Sequence, residues 1–378
     1  MTVFAAILTA IGMLAALVAR RGIRNSARMG GVADHLRRLL TLIALLLALR
    51  LLFMAWPVPF VMASIMVVAA WLPFATLRLA EELVRRHAPR PLKLAALIGG
   101  VAFSIMAATL GLVWTREALL ALGLFQGLTV IGVLVHLFAQ RQTVSLAERR
   151  TVDLLTLAVL VSIPLLATDF QGLFPDLPVR GGAFAALIFV LACSRMASEQ
   201  GRPMALLVDI AVAFGAGAIM AFASHQAGLL PPLTFSFTAC AIATAALLLL
   251  IERFARASAS DDGLLYDLAR NGSSRAAILT SHPLLASAVR IGPGELSDLP
   301  SDAVGRLAQA RVISRGSAVQ DEGAAGAAIE LLDRHSATHL LRLSSQPVSF
   351  LAISGGTLAE ERLTAELEIV GRLLEGAE

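Results

Sequence analysis

The sequence predicts a polytopic membrane bundle of about nine helices followed by a C-terminal α+β domain, on three observations. Apolar residues make up 57% of the 378 and charged residues only 15%, against about 45–50% and 25% in ordinary soluble domains. The long uncharged runs fall almost wholly in residues 1–256, whereas 257–378 has the composition of a soluble domain. Arginines recur in every second connection between those runs.

A bilayer core takes about 20 apolar residues in a helix. Nine segments qualify, near 2–19, 39–56, 58–77, 94–114, 118–138, 152–170, 181–198, 204–224 and 229–251. The first lacks a basic leading region and a small-x-small cleavage site, so it is expected to stay in the membrane rather than be removed as a signal peptide. Pro57 and Pro59 separate the second and third segments, and Pro231 and Pro232 fall in the first turn of the ninth, where proline is tolerated. The connections 20–38, 78–93, 139–151 and 195–203, with the stretch after the ninth segment, hold eighteen basic residues; the alternate connections hold Arg116 and Arg180. The positive-inside rule places the rich side in the cytoplasm, with the N-terminus outside and the C-terminus inside. The thirty arginines against one lysine, with abundant Ala and Leu, suggest a GC-rich bacterial genome and hence a bacterial inner membrane.

Charge also divides the chain. Residues 1–256 carry 21 basic and 11 acidic groups, and residues 257–378 carry 10 and 16. The basic excess therefore belongs to the membrane loops, and the acidic soluble part argues against nucleic-acid binding. Cys193 and Cys240 both fall in apolar segments and form neither a disulfide framework nor a metal site. The short connections leave no sizeable external domain to capture a ligand.

Polar groups within membrane segments are costly and are candidates for function. Arg50, Gln126, His136, Asp169 and Asp209 are the candidates here. Asp169 and His136 sit near segment ends and are expected to reach the interface. Arg50 reads as a clamp between helices, and its estimated depth differs from that of Asp209, which argues against a pair. Gly123 and Gly127 have the spacing of a close helix-packing site. No internal repeat and no series of carboxylates marks a transporter.

In the soluble part, 264–269 reads as a short helix closed by Asn271-Gly272, and 275–280 and 284–291 as two strands around Ser281-His282-Pro283. A helix is expected at 301–310 with Ser301 as a possible cap, a strand at 311–314 and a helix at 324–334. A hairpin of 339–343 and 348–354 and a terminal helix at 359–374 complete an antiparallel α+β layout. His282, His335 and His339 read as solvated surface groups. Leu363, Leu367, Val370 and Leu374 repeat at four, three and four. That spacing fits a dimer seam or a stripe packed on the domain's own sheet.

The segments "SATHLLRLSSQPVSFLAISGGTLAEERLTAELEIVGRLL" (336–374) and "RAAILTSHPLLASAVRIG" (275–292) resemble the closing and opening parts of a GAF domain. Many membrane helices followed by such a domain resemble the input half of bacterial membrane sensor histidine kinases. The resemblance implies a kinase core after the domain, and the residues up to Glu378 carry none. None of the seven histidines precedes an acidic residue as a phospho-acceptor would. GAF domains often hold cyclic nucleotides or tetrapyrroles; nothing here selects one, and the soluble part has no cysteine for a covalent bilin, so the cofactor is unknown.

Catalytic motifs are missing: there is no HExxH, no GxSxG and no P-loop, and the sole lysine, Lys93, lies in a connection. The sequence thus points to a non-catalytic membrane sensor or scaffold. Its expected partners are membrane lipid and either a second copy of the chain or a separate signalling protein. Arg50 and Asp209 motivate the alternative of a transporter or lipid-handling bundle with a regulatory soluble domain. A subunit of a larger membrane complex is the third reading.

Overall fold

Apolar helix dominates residues 1–259, and a mixed sheet-and-helix unit follows. A computed structural model describes residues 2–23, 32–84, 86–109, 116–141, 146–169, 180–197, 203–259, 268, 274–286, 288–314, 322–335, 337–353 and 360–376. Two compact units result. The first comprises residues 1–141, 152–196 and 200–255, and the second comprises 142–151, 197–199 and 256–378.

The first unit holds α1 (Thr2–Gly22), α2 (Val32–Ala55), α3 (Pro59–Val84), α4 (Arg90–Ala108), α5 (Arg116–Gln140), α6 (Leu146–Ala167), α7 (Gly182–Ala197), α8 (Pro203–Gln226) and α9 (Pro231–Ala259). Eight of these are long and apolar enough to span a bilayer; α7 is the short one. The protein is a multi-pass membrane protein with an all-α bundle. Leu94, Ile98, Val101 and Ile105 on α4, and Leu124, Leu128, Ile131, Val135 and Phe138 on α5, form exposed stripes at helical spacing. Such stripes suit lipid, which imposes no penalty on apolar surface.

Two contacts fix the direction of the last helix against the first. Phe4 and Phe237 meet edge to face with ring centroids 5.2 Å apart. Eighteen residues further along α1 and seventeen further along α9, a Cβ on Gly22 would fall 2.3 Å from the Phe254 ring. The offset between partners is nearly constant, so α1 and α9 run parallel.

In contrast with its neighbours, α7 is buried on every side: from Gly181 to Met196 only Phe184 is not fully buried. A helix apolar all round belongs inside a bundle. Gly12 of α1 approaches the Ala183 carbonyl of α7, where a Cβ would stand 3.4 Å from the oxygen. Ser162 of α6 donates to the Ala185 carbonyl at 3.4 Å.

The second unit is built on a four-stranded antiparallel sheet of order β1-β4-β3-β2, with β1 (Val289–Ile291), β2 (Val312–Ser314), β3 (His339–Ser345) and β4 (Val348–Ile353). Around it lie α10 (Arg275–Ser281), α11 (Pro283–Ala286), α12 (Pro293–Leu296), α13 (Ser301–Leu307), α14 (Glu322–Arg334) and α15 (Glu360–Gly376). Side chains alternate across a strand, and here both faces are covered. Leu340, Phe350 and Ala352 pack with α12, α13 and α14. Leu341, Leu351 and Ile353 pack with α10 and α15. The double cover explains why β4 is apolar almost without interruption.

Several expectations need correction. The predicted strand at 275–280 is helical: Ser274 caps α10 by accepting from the Ala277 amide at 3.3 Å, and Ala276 and Ala277 favour helix. Of the predicted second strand only Val289–Ile291 is extended, pairing with Phe350–Ala352. The resemblance to the GAF opening hairpin therefore has no hairpin behind it. Ser301 is not a cap; it is the first helical residue after Pro300. The expected helix at 264–269 lies, except for Leu268, outside the described residues. The hairpin of β3 and β4 forms as predicted, closing at Ser345 opposite Val348, with a cis Gln346–Pro347 bond in the turn.

Candidate functional site

Arg50, Asp169, Arg195, Asp209 and Arg253 gather at the two ends of α7. A helix begins with unpaired N–H groups and a partial positive charge and ends with unpaired carbonyls and a partial negative one. The chain places an acid at the start of α7 and a base at its end.

At the N-terminal end, Asp169 follows α6 and accepts from the Gly182 amide at 3.0 Å. Arg50 of α2 pairs with the same carboxylate at 2.5 Å. The neighbouring Gly181 amide donates to Thr168 Oγ1 at 2.7 Å. A Cβ on Gly182 would lie 2.2 Å from Asp169 Oδ2 and 2.8 Å from an Arg50 nitrogen, so only glycine admits this approach. Asp169 therefore does not reach out to the interface as its position near a segment end implied. Its side chain is 9% exposed, because a helix start and a guanidinium hold it inward.

At the C-terminal end, Arg195 of α7 grips Asp209 of α8 with both arms, Nε to Oδ2 at 2.7 Å and Nη2 to Oδ1 at 2.8 Å. Arg195 also donates to the Ala205 carbonyl at 3.3 Å. Arg253 of α9 adds a third contact, Nη2 to Asp209 Oδ1 at 3.0 Å. The Asp209 side chain is 3% exposed. Arg50 and Asp209 thus belong to opposite ends of α7, in agreement with their different depths. The partners Arg195 and Arg253 were counted in the sequence only as loop arginines.

Similar clamps close two other helix pairs. Glu81, buried near the end of α3, binds Lys93 of α4 at 2.6 Å, Arg78 at 3.0 Å and the Ala88 amide at 2.7 Å. The single lysine is thereby a structural partner. Arg141 after α5 takes both oxygens of Asp153 on α6, at 2.6 and 2.8 Å.

Gln126 has a different task. Pro73 lies inside α3 and has no N–H to give the carbonyl four residues earlier, that of Ala69. Gln126 Nε2 on α5 donates to that carbonyl at 2.7 Å. In a membrane such a freed group needs a protein partner.

His136 is 6% exposed; it faces protein rather than reaching the interface, because its side of α5 is the packed one. Gly127 does not mediate close packing, since a Cβ there would meet nothing within 4 Å. Close approach occurs instead where a Cβ on Gly99 would run into Phe125 and one on Gly132 into Leu92. Both glycines lie in uniformly apolar runs, where no residue pattern marks which will be covered.

In the soluble unit, Leu363, Leu367, Val370 and Leu374 are buried against the sheet. They do not form a dimer seam, because the unit's own second face consumes the stripe. The outer face of α15 carries Ile369 and Leu373 instead. His339 is fully buried, with ring nitrogens 2.9 Å from Thr338 Oγ1 and 3.0 Å from Thr364 Oγ1. That corrects the solvated reading; β3 is covered on both faces at this point. His282 accepts from the Leu284 amide at 3.2 Å, and His335 stands 3.2 Å from Glu295. At the far end of α15, Arg311 and Arg342 reach Glu375 at 2.8 and 2.6 Å. Arg311 first, then Arg342, hold its carboxyl below the usual range.

Among the described residues no group of three or more His, Cys, Asp or Glu side chains is placed to hold a metal ion. Comparison with protein-family models, curated proteins and solved structures finds no match to this chain.

Proposed function

We propose that this chain is a non-catalytic sensor or scaffold of a bacterial inner membrane, relaying a membrane-derived signal through a degenerate GAF-like domain to a separate protein. Nine crossings place that domain in the cytoplasm. The parallel course of α1 and α9 supports the odd number: if the other eight helices cross, α7 must cross too, or the last helix would oppose the first. The positive-inside pattern supports the orientation.

The observation that carries the reading is the use made of Arg50, Asp169, Arg195, Asp209 and Arg253. They tie helix ends together in ion pairs. A transport path wants ionisable or backbone groups near the midplane at discontinuous helices, and these clusters lie at the ends of α7. The bundle then serves as a rigid receiver, and α9 leads directly from the Asp209 clamp into the second unit.

Purification of the full chain from its native membrane in mild detergent, with mass spectrometry of what accompanies it, tests the proposal. The expected result is a stoichiometric signalling protein that is lost when residues 257–378 are deleted. A chain that purifies alone and carries a solute flux in liposomes, abolished by Asp209→Asn, would overturn it in favour of transport.

A further inference from the structure

We propose that the arginine-bearing ends of α1, α2 and α9 form a binding site for the phosphate of an anionic phospholipid. The inference concerns a ligand site and stands whether or not the relay reading holds.

The argument begins with helix register. The contacts Phe4–Phe237 and Gly22–Phe254 set α1 and α9 parallel, which brings Arg20 and Arg21 level with Arg253. A Cβ on Gly12 would lie 3.3 Å from Leu47. In the α1–α2 hairpin that pairing puts Arg37 opposite Gly22. Arg20, Arg21, Arg37 and Arg253 therefore stand at one level around the end of α1.

Their hydrogen-bonding state points to a missing acceptor. Arg20 and Arg21 are exposed. The Nε atoms of Arg37 and Arg253 are buried and donate to no acceptor. Arg253 does send Nη2 to Asp209, but Arg195 already occupies both oxygens of that carboxylate, so Arg253 is the surplus cation. The only carboxylate beside it on α9 is Glu252, which is exposed. A buried guanidinium N–H without an acceptor is costly.

The ligand chemistry follows from place and geometry. Guanidinium groups match phosphate oxygens as bidentate forks. The level is the end of apolar helices, where phospholipid phosphates lie, and basic pockets between membrane helices on the arginine-rich side suit anionic headgroups. Apolar side chains of α1 and α9 below the arginines, Leu14 and Leu248, are exposed to receive acyl chains.

The test is native mass spectrometry of the full chain released from mixed micelles containing phosphatidylglycerol and phosphatidylcholine. The wild type is expected to retain phosphatidylglycerol in preference. The triple variant Arg20→Gln, Arg21→Gln, Arg37→Gln should lose it about fivefold for each arginine removed. Arg86→Gln with Arg90→Gln, which neutralises exposed arginines at the α3–α4 turn, should retain it. If the triple variant fails to fold, the double Arg20→Gln, Arg21→Gln variant carries the test, since both side chains are exposed. Equal retention of the two lipids, or equal loss in the α3–α4 control, would overturn the site. Displacement of the lipid by millimolar inorganic phosphate would reduce it to a simple ion site and overturn the lipid assignment.

Discussion

Pro73 deprives the Ala69 carbonyl of its helical donor, and Gln126 supplies a replacement from the neighbouring helix. The two residues should therefore be energetically coupled. Gln126→Leu is expected to cost about 1 kcal/mol in detergent unfolding, within the range measured for hydrogen bonds between membrane helices. In a Pro73→Ala background the residue at 73 recovers its own N–H, and the same change should cost close to nothing. Additive costs in the double-mutant cycle would show that Gln126 does not serve this carbonyl. Asp209 is a second residue with a sharp expectation. Asp209→Ala removes the carboxylate that Arg195 grips with both arms in a nearly inaccessible site, and breaking a buried pair costs about 3–5 kcal/mol. A melting temperature in detergent equal to wild type would contradict that. Gly182→Ala should resemble loss of Asp169, because its methyl group displaces both Asp169 and Arg50.

At the scale of elements, α7 and α15 show what a sequence does and does not disclose. The apolar run of α7 was visible, but its position inside the bundle follows from which neighbours surround it. The acid and base at its opposite ends are legible only once Asp169, which follows α6, is seen to meet the start of the helix that Arg195 closes. In α15 the leucine stripe was legible as a stripe, yet spacing alone does not say whether the partner is a second copy or the chain's own sheet. The sheet takes it. Leu367→Ala should accordingly destabilise the second unit by about 2–5 kcal/mol, whereas Ile369→Ala on the exposed face should stay within about 0.5 kcal/mol. Hydrogen exchange across α15 in the full chain distinguishes the two. The same helix has an acid limb. Arg311 and Arg342 lower the Glu375 carboxyl pKa in the folded state. The stabilisation is therefore complete above the unfolded value near 4.5 and is lost as pH falls through the lower folded value. Glu375→Gln should flatten the loss of α15 protection below that pH; an unchanged acid limb would exclude the contribution. The effect is small, since the pair is solvent-screened. Segment 275–280 illustrates the opposite failure: one Arg followed by five residues of Ala, Ile, Leu and Thr satisfies helix and strand patterns alike, and the Ser274 cap decides between them.

At the scale of the whole molecule, the division into a membrane bundle and an α+β unit was legible because composition changes sharply near residue 256, and the observed units part at Ala255. The membrane segments were legible from length, but several boundaries moved, and at one of them ion pairs extend a helix beyond the apolar run. Glu81 does so for α3, which continues to Val84 rather than ending near 77. The pairing of charges was not legible, since Arg50 meets Asp169 across 119 positions and Asp209 meets partners on both sides of it. In the proposed topology α7, although short, crosses with the other eight helices, so that the two termini lie on opposite sides. Single cysteines placed at Thr2 and Gly376 in a Cys193→Ala, Cys240→Ala background, labelled in intact cells with a membrane-impermeant maleimide, test it most directly. The expected result is labelling at position 2 and protection at 376 until the membrane is permeabilised. Protection or labelling of both positions alike would mean an even number of crossings and would contradict it.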